Sequence, residues 1–176
     1  MRLVQRLYLI FLTLCLSLCL CATATMAGER FVKLDAQGRE LPDDAQSWAM
    51  VHDTMYKMYW EVKTPDDSIH SNTAIYTYKD AKEKFIAQLN AEKFGGFDDW
   101  RIPTSGELGL LRTKEAENGV RIDLAYFPNT QPAKYMSQGR CVSNPGYREE
   151  NIKFGKKRTK GGIYVRAFRG APLDVN

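Results

Sequence analysis

A chain of 176 residues with 44% hydrophobic and 26% charged side chains and a net charge of +4 has the composition of an ordinary globular protein, which excludes disordered, collagenous and multi-pass membrane chains. With the first 27 residues set aside, about 150 remain, one domain's worth. That is enough chain to bury roughly 68–70% of its unfolded surface without disulfides.

The N-terminus departs from that composition. Met1, Arg2 and Arg6 make a short basic start, and residues 7–21 form an apolar run, shorter than the about 20 residues that a membrane helix needs. Ala22, Ala24 and Ala27 follow. The pattern is that of a signal peptide over residues 1–27, cleaved after Ala24 or Ala27, with a mature domain over 28–176. Cys15, Cys19 and Cys21 are each preceded by leucine rather than a small residue, which argues against lipid attachment. The expectation is a periplasmic or secreted protein with no stable membrane span after cleavage. Only Cys141 then remains, so no intrachain disulfide forms; that thiol is read as buried and inert, the alternative being an intermolecular bond.

Along the mature chain, Phe31 to Leu34 reads as a strand, Asp35 to Asp44 as turns, and Trp48 to Val51 and Met58 to Val62 as two more strands around Asp53. Residues 64–72 carry only loop signals. Thr77 with Asp80 opens a helix in which Tyr78, Ala81, Phe85 and Leu89 recur at helical spacing, and Gly95-Gly96 is expected to close it. A second helix follows Pro103, where Thr104 and Glu107 form a capping box ahead of Leu108, Leu110 and Leu111. From Ile122 onward the pattern returns to strands and turns: a turn at Asn144-Pro145-Gly146, a strand at Asn151 to Phe154, a basic hairpin loop from Gly155 to Gly162 and a last strand from Ile163 to Phe168. Short antiparallel strands with two helices between them predict one compact α+β domain.

Charge is unevenly placed. Removing Arg2 and Arg6 lowers the net charge to +2, yet residues 35–67 hold eight acids against three bases and residues 148–169 hold eight bases against two acids. The two regions either bind an ionic partner or face each other in the fold. Few constellations suggest chemistry. His52 and His70 lie eighteen positions apart with no cysteine beside them, so no zinc pattern is present. Neither histidine is placed by spacing to activate Cys141. Asp66-Asp67 and Asp98-Asp99 lack the periodicity of a calcium loop, and no nucleophile elbow, P-loop or dinucleotide fingerprint occurs. No catalytic residue, metal or cofactor is assigned, and the small net charge of an exported chain argues against nucleic-acid binding.

The sharpest local signal is Gly95-Gly96-Phe97-Asp98-Asp99-Trp100-Arg101-Ile102-Pro103-Thr104 with Glu107-Leu108. It resembles the hallmark G-G-x-x-D-W-R-L-P-T-x-x-E-L of the Lcl C-terminal domain family, with isoleucine for leucine. Asp53 with Met58-Tyr59-Trp60-Glu61 is similar to that family's D-x-x-T-G-L-M-W-E segment, with Tyr56-Lys57 where Thr-Gly is usual. Phe127-Pro128-Asn129, Tyr135-Met136-Ser137 and Val165 to Gly170 resemble its F-P-N, Y-W-S and V-R-x-V-R-G segments. The resemblance implies an exported α+β domain, C-type-lectin-like in style and related to sulfatase-modifying-factor folds. The cysteine pair on which such oxidases depend is absent from the mature chain. It also implies a structural role for the hallmark, with Trp100 in the core and Arg101 held by a carboxylate.

The function read from these residues is a non-catalytic binding module for an anionic polysaccharide or envelope polymer. Its contact residues are Lys156, Lys157, Arg158 and Lys160 on the glycine-bounded loop, joined by Lys153 from the strand before it, where charged donors meet sulfate or carboxylate without a deep pocket. The same loop also reads as a solvated hairpin tip. The alternative function is a protein-binding accessory of an envelope secretion or pilus system, contacting an envelope protein through acidic loops and exposed tyrosines.

Overall fold

The computed structural model describes residues 29–138 and 162–171. The signal segment, Cys141, the turn at 144–146, the strand at 151–154 and the basic loop with Lys153, Lys156, Lys157, Arg158 and Lys160 lie outside the described residues.

Three strands come first: β1 (Phe31–Leu34), β2 (Met50–Asp53) and β3 (Met58–Glu61). They pair antiparallel in sequence order, and β6 (Phe168–Arg169) adds to the far side of β3, giving the order β1-β2-β3-β6. The register puts Val32, His52, Tyr59 and Arg169 in one cross-strand row and Val51, Trp60 and Phe168 in the next, on the opposite face. The β2–β3 turn answers the departure at Tyr56-Lys57: Lys57 takes φ 54°, the left-handed conformation that the glycine usual in the family's segment would adopt without cost.

Both faces of this sheet are covered. Val51, Trp60 and Phe168 pack with Leu108, Leu111, Val120, Ile122, Phe127 and Tyr135. On the other face Leu34 and Met50 meet Ala81, Phe85, Leu89, Phe94, Trp100 and Val165. The sheet is a middle layer between two apolar clusters, so its strands read as nearly continuous apolar runs rather than as clean alternation.

The helix α1 runs through an α turn Tyr78–Asp80, a π-helical stretch Ala81–Ile86 and an α segment Ala87–Ala91. Thr77 caps it by accepting from the Asp80 amide. Ala81, Phe85 and Leu89 are fully buried, but Tyr78 of the expected stripe is exposed and Ile86 is buried in its stead. The wider π turn brings Phe85 and Ile86 both to the buried side. The helix ends earlier than expected. Lys93, at φ 50°, supplies the left-handed residue, and Gly95 and Gly96 shape the 3-10 turn that follows. Gly95 is required for a second reason: a Cβ there would lie 2.5 Å from the Met50 sulfur, on the floor of the sheet.

The helix α2 (Ser105–Leu110) has the expected capping box. Directly after it comes a hairpin that the sequence does not announce: β4 (Arg112–Glu117) and β5 (Val120–Ile122) pair antiparallel through a bulge as a second sheet. The expected last strand is shorter than its apolar run. Ile163 and Tyr164 make isolated bridges to Tyr76 and Tyr135, and only Phe168–Arg169 joins the sheet. Two antiparallel sheets with one main helix make the domain α+β.

Candidate functional site

The hallmark segment is a junction. Trp100 is 2% exposed and donates its indole N–H to the Phe94 carbonyl at 2.8 Å. The Asn90 side chain, from the last turn of α1, clasps the Trp100 backbone, accepting from its N–H at 2.7 Å and donating to its carbonyl at 3.0 Å. One residue on, Arg101 and Phe168 exchange both backbone hydrogen bonds, at 2.8 and 3.0 Å. The Arg101 guanidinium forks onto Glu107, Nη1 to Oε2 at 2.9 Å and Nη2 to Oε1 at 2.6 Å, and lies 4.3 Å from the Phe168 ring centre. Glu107 Oε2 also accepts from the Thr104 amide at 2.7 Å. A single buried carboxylate therefore starts α2 and holds the guanidinium. Burial pushes its pKa up, but the Arg101 and Thr104 donors outweigh burial and hold it below the ordinary value. The hallmark is engaged with the fold itself.

A second polar cluster lies inside. Glu61 is fully buried; Oε1 accepts from Lys63 Nζ at 2.8 Å and lies 2.9 Å from His70 Nδ1, and Oε2 accepts from the Ala167 amide at 3.0 Å. Burial raises the Glu61 pKa, yet Lys63 and His70 bring it below the usual carboxylate value. For Lys63 burial wins and the ammonium pKa is lowered. Arg166 is fully buried, donating to the Glu61 carbonyl and to Thr130 Oγ1 at 2.9 Å, with its guanidinium 5.1 Å from the Phe127 ring centre. The acidic and basic regions thus meet in the interior where Arg166 bonds the Glu61 backbone, whereas at the surface Arg169 pairs at 2.6 Å with Asp99, which lies outside the acidic region.

The paired acids have local duties. Asp66 Oδ1 accepts from the hydroxyls of Ser68 and Thr64, both at 2.6 Å, and from the Ser68 amide at 3.0 Å, which hold its pKa at about 2. His52 stacks on Tyr59 at 4.4 Å and His70 bonds Glu61, so each histidine has its own partner in the fold. Among the described residues no group of three or more His, Cys, Asp and Glu side chains is arranged to hold a metal.

On the surface, an open depression of about 440 Å³ lies between α2 and the β4–β5 hairpin. Arg112, Lys114 and Arg121 line it from the hairpin, and Ser105, Gly106 and Gly109 from the helix. All three cations are exposed. Sequence reading passed over them because β4 lacks any apolar alternation; the one available cue was two bases spaced two residues apart on a strand.

The family model described as the Lcl C-terminal domain matches residues 49–169. No curated protein and no solved structure matches the chain. Among the described residues no helix is long and apolar enough to cross a membrane.

Proposed function

Because the chain belongs to the Lcl C-terminal domain family, we propose that it is an exported, non-catalytic binding module, C-type-lectin-like in style, for an anionic glycan or envelope polymer. The signal-peptide pattern of residues 1–27 supports delivery to the periplasm or the cell exterior. The observation that carries the reading is the run Lys156-Lys157-Arg158 with Lys160 and Lys153, bounded on the C-terminal side by Gly161-Gly162. Of the basic region, Arg166 and Arg169 are used by the fold. The described residues that flank positions 139–161 are anchored to the framework. The Gln138 amide bonds the Pro103 carbonyl, and Tyr164 bridges Tyr135.

The experiment is retention of the mature protein on immobilised heparin at low salt, with Lys156, Lys157, Arg158 and Lys160 all replaced by serine as the comparison. Retention by the parent and a marked loss in the variant support the reading; a parent that is not retained overturns it. A second reading, an accessory that docks on an envelope protein, is favoured by one observation, the exposed Met55 and Tyr56 at the β2–β3 tip, 66% and 40% accessible. Capture of an envelope protein that is lost in Tyr56→Ser, by a parent blind to polyanions, would select it.

A further inference from the structure

We propose that the depression between α2 and the β4–β5 hairpin is a second anion-binding cleft, in which Arg112, Lys114 and Arg121 engage sulfate or carboxylate groups of an acidic polysaccharide strand. The inference rests on the polyanion reading above and adds a site that is separate from the basic loop.

Two independent observations carry it. The first is electrostatic. Of the exposed cations elsewhere on this domain, Arg39, Lys79 and Lys84 sit beside Asp35, Glu83 and Asp80, while Lys57, Lys82 and Lys93 show no ion pair with a described residue and do not gather around one concavity. Arg112, Lys114 and Arg121 make no ion pair or side-chain hydrogen bond with a described residue, although Glu115 and Glu117 lie on the same hairpin. Three like charges gathered around one concavity repel one another and raise the local concentration of anions. Residues two apart on a strand point to one side and stand roughly 7 Å apart, so Arg112 and Lys114 offer spaced charges to a ligand that carries several.

The second observation is the opposite wall. Gly106 and Gly109 are one helical turn apart in α2, where glycine is a poor helix former. At Gly109 the backbone is not left-handed, and an added Cβ would meet no atom within 4 Å. Packing therefore does not demand glycine there. What its missing side chain leaves is open floor in the depression, over which a chain of sugar rings lies close to the backbone. The lining has no aromatic ring for stacking nucleic-acid bases and no apolar side chain for entering a membrane, and its three cations are complementary to the sulfates or carboxylates of a hydrated polysaccharide.

The test uses the full mature chain and two probes, heparin and hyaluronan, with affinity measured at low and high salt. Two cleft variants, Gly109→Glu and the triple Arg112→Ser, Lys114→Ser, Arg121→Ser, are compared with the four-serine loop variant. The expected result is a loss of about tenfold or more for heparin in each cleft variant. Gly109→Glu should melt no lower than the parent, and cleft and loop changes together should remove what either alone leaves. Hyaluronan, which carries carboxylates only, should show the same order more weakly. Cleft variants that bind like the parent while the loop variant fails would overturn the cleft and leave the broader reading standing. A parent with no affinity for either polymer overturns both.

Discussion

Two buried glutamates tie single residues to the stability of the whole. Glu61 and Glu107 both have pKa values held below the ordinary 4.5 in the folded state. The folded protein therefore binds fewer protons than the unfolded chain, and the stabilisation from each is complete above the unfolded value and lost as pH falls through the lowered folded one. Thermal melts should be flat near neutrality and drop progressively below about pH 4.5. Glu107→Gln leaves Arg101 facing a neutral amide in a partly buried site, and should cost about 3 kcal/mol at pH 7 while flattening the acid limb. An unchanged acid limb in that variant would remove Glu107 from the account. Lys63 gives a slope of the same sign at the alkaline end: its folded pKa lies below 10.5, so the unfolded chain again binds more protons and stability gains as pH rises through that window. Trp100→Ala empties a site that is 2% exposed and should cost about 3–5 kcal/mol, read as a fall in urea midpoint. A variant that melts like the parent but loses ligand would make Trp100 a contact residue.

Elements differ in how openly the sequence declares them. β1, β3 and the capping box of α2 were legible because each is a dense local signal, apolar strands between turns and Thr104 with Glu107 at the one spacing that lets both side chains reach backbone amides; β2 was legible as a strand but runs Met50–Asp53, two residues beyond the expected Trp48 to Val51. The β4–β5 hairpin was not, since Arg112 to Glu117 is nearly all polar and is held as a strand by its ladder and by Val120 and Ile122 beneath. The three cations of the cleft vanished with it, because they converge only once the hairpin forms. The end of α1 was misplaced by two glycines that attract attention; the helix closes at Lys93, which accepts a left-handed backbone against its preference. Lys93→Gly should therefore stabilise by about 0.5–1 kcal/mol, measured as a higher melting temperature. Gly95→Ala should do the reverse and more strongly, because it combines φ 67° with a clash at Met50. Similar melts for the two variants would contradict the assignment of which residue closes the helix and which one packs.

At the scale of the molecule, the proposed recognition by exposed surface cations has a salt signature. The attraction should fade as the screening length shrinks from about 10 Å at 0.1 M to about 3 Å at 1 M salt, whereas Trp100→Ala should lower binding and melting temperature together at every salt concentration. Salt-insensitive retention would point to apolar contacts instead, such as the Met55-Tyr56 tip. The wiring of the sheet has a consequence for biogenesis. Phe168 seals Trp60 on one side and is sewn to Arg101 on the other, so the layer laid down first is completed by residues made more than a hundred positions later. Contacts so distant along the chain delay closure. A nascent polypeptide built this way cannot close its first sheet until residue 169 has left the ribosome, a delay that suits the export proposed above.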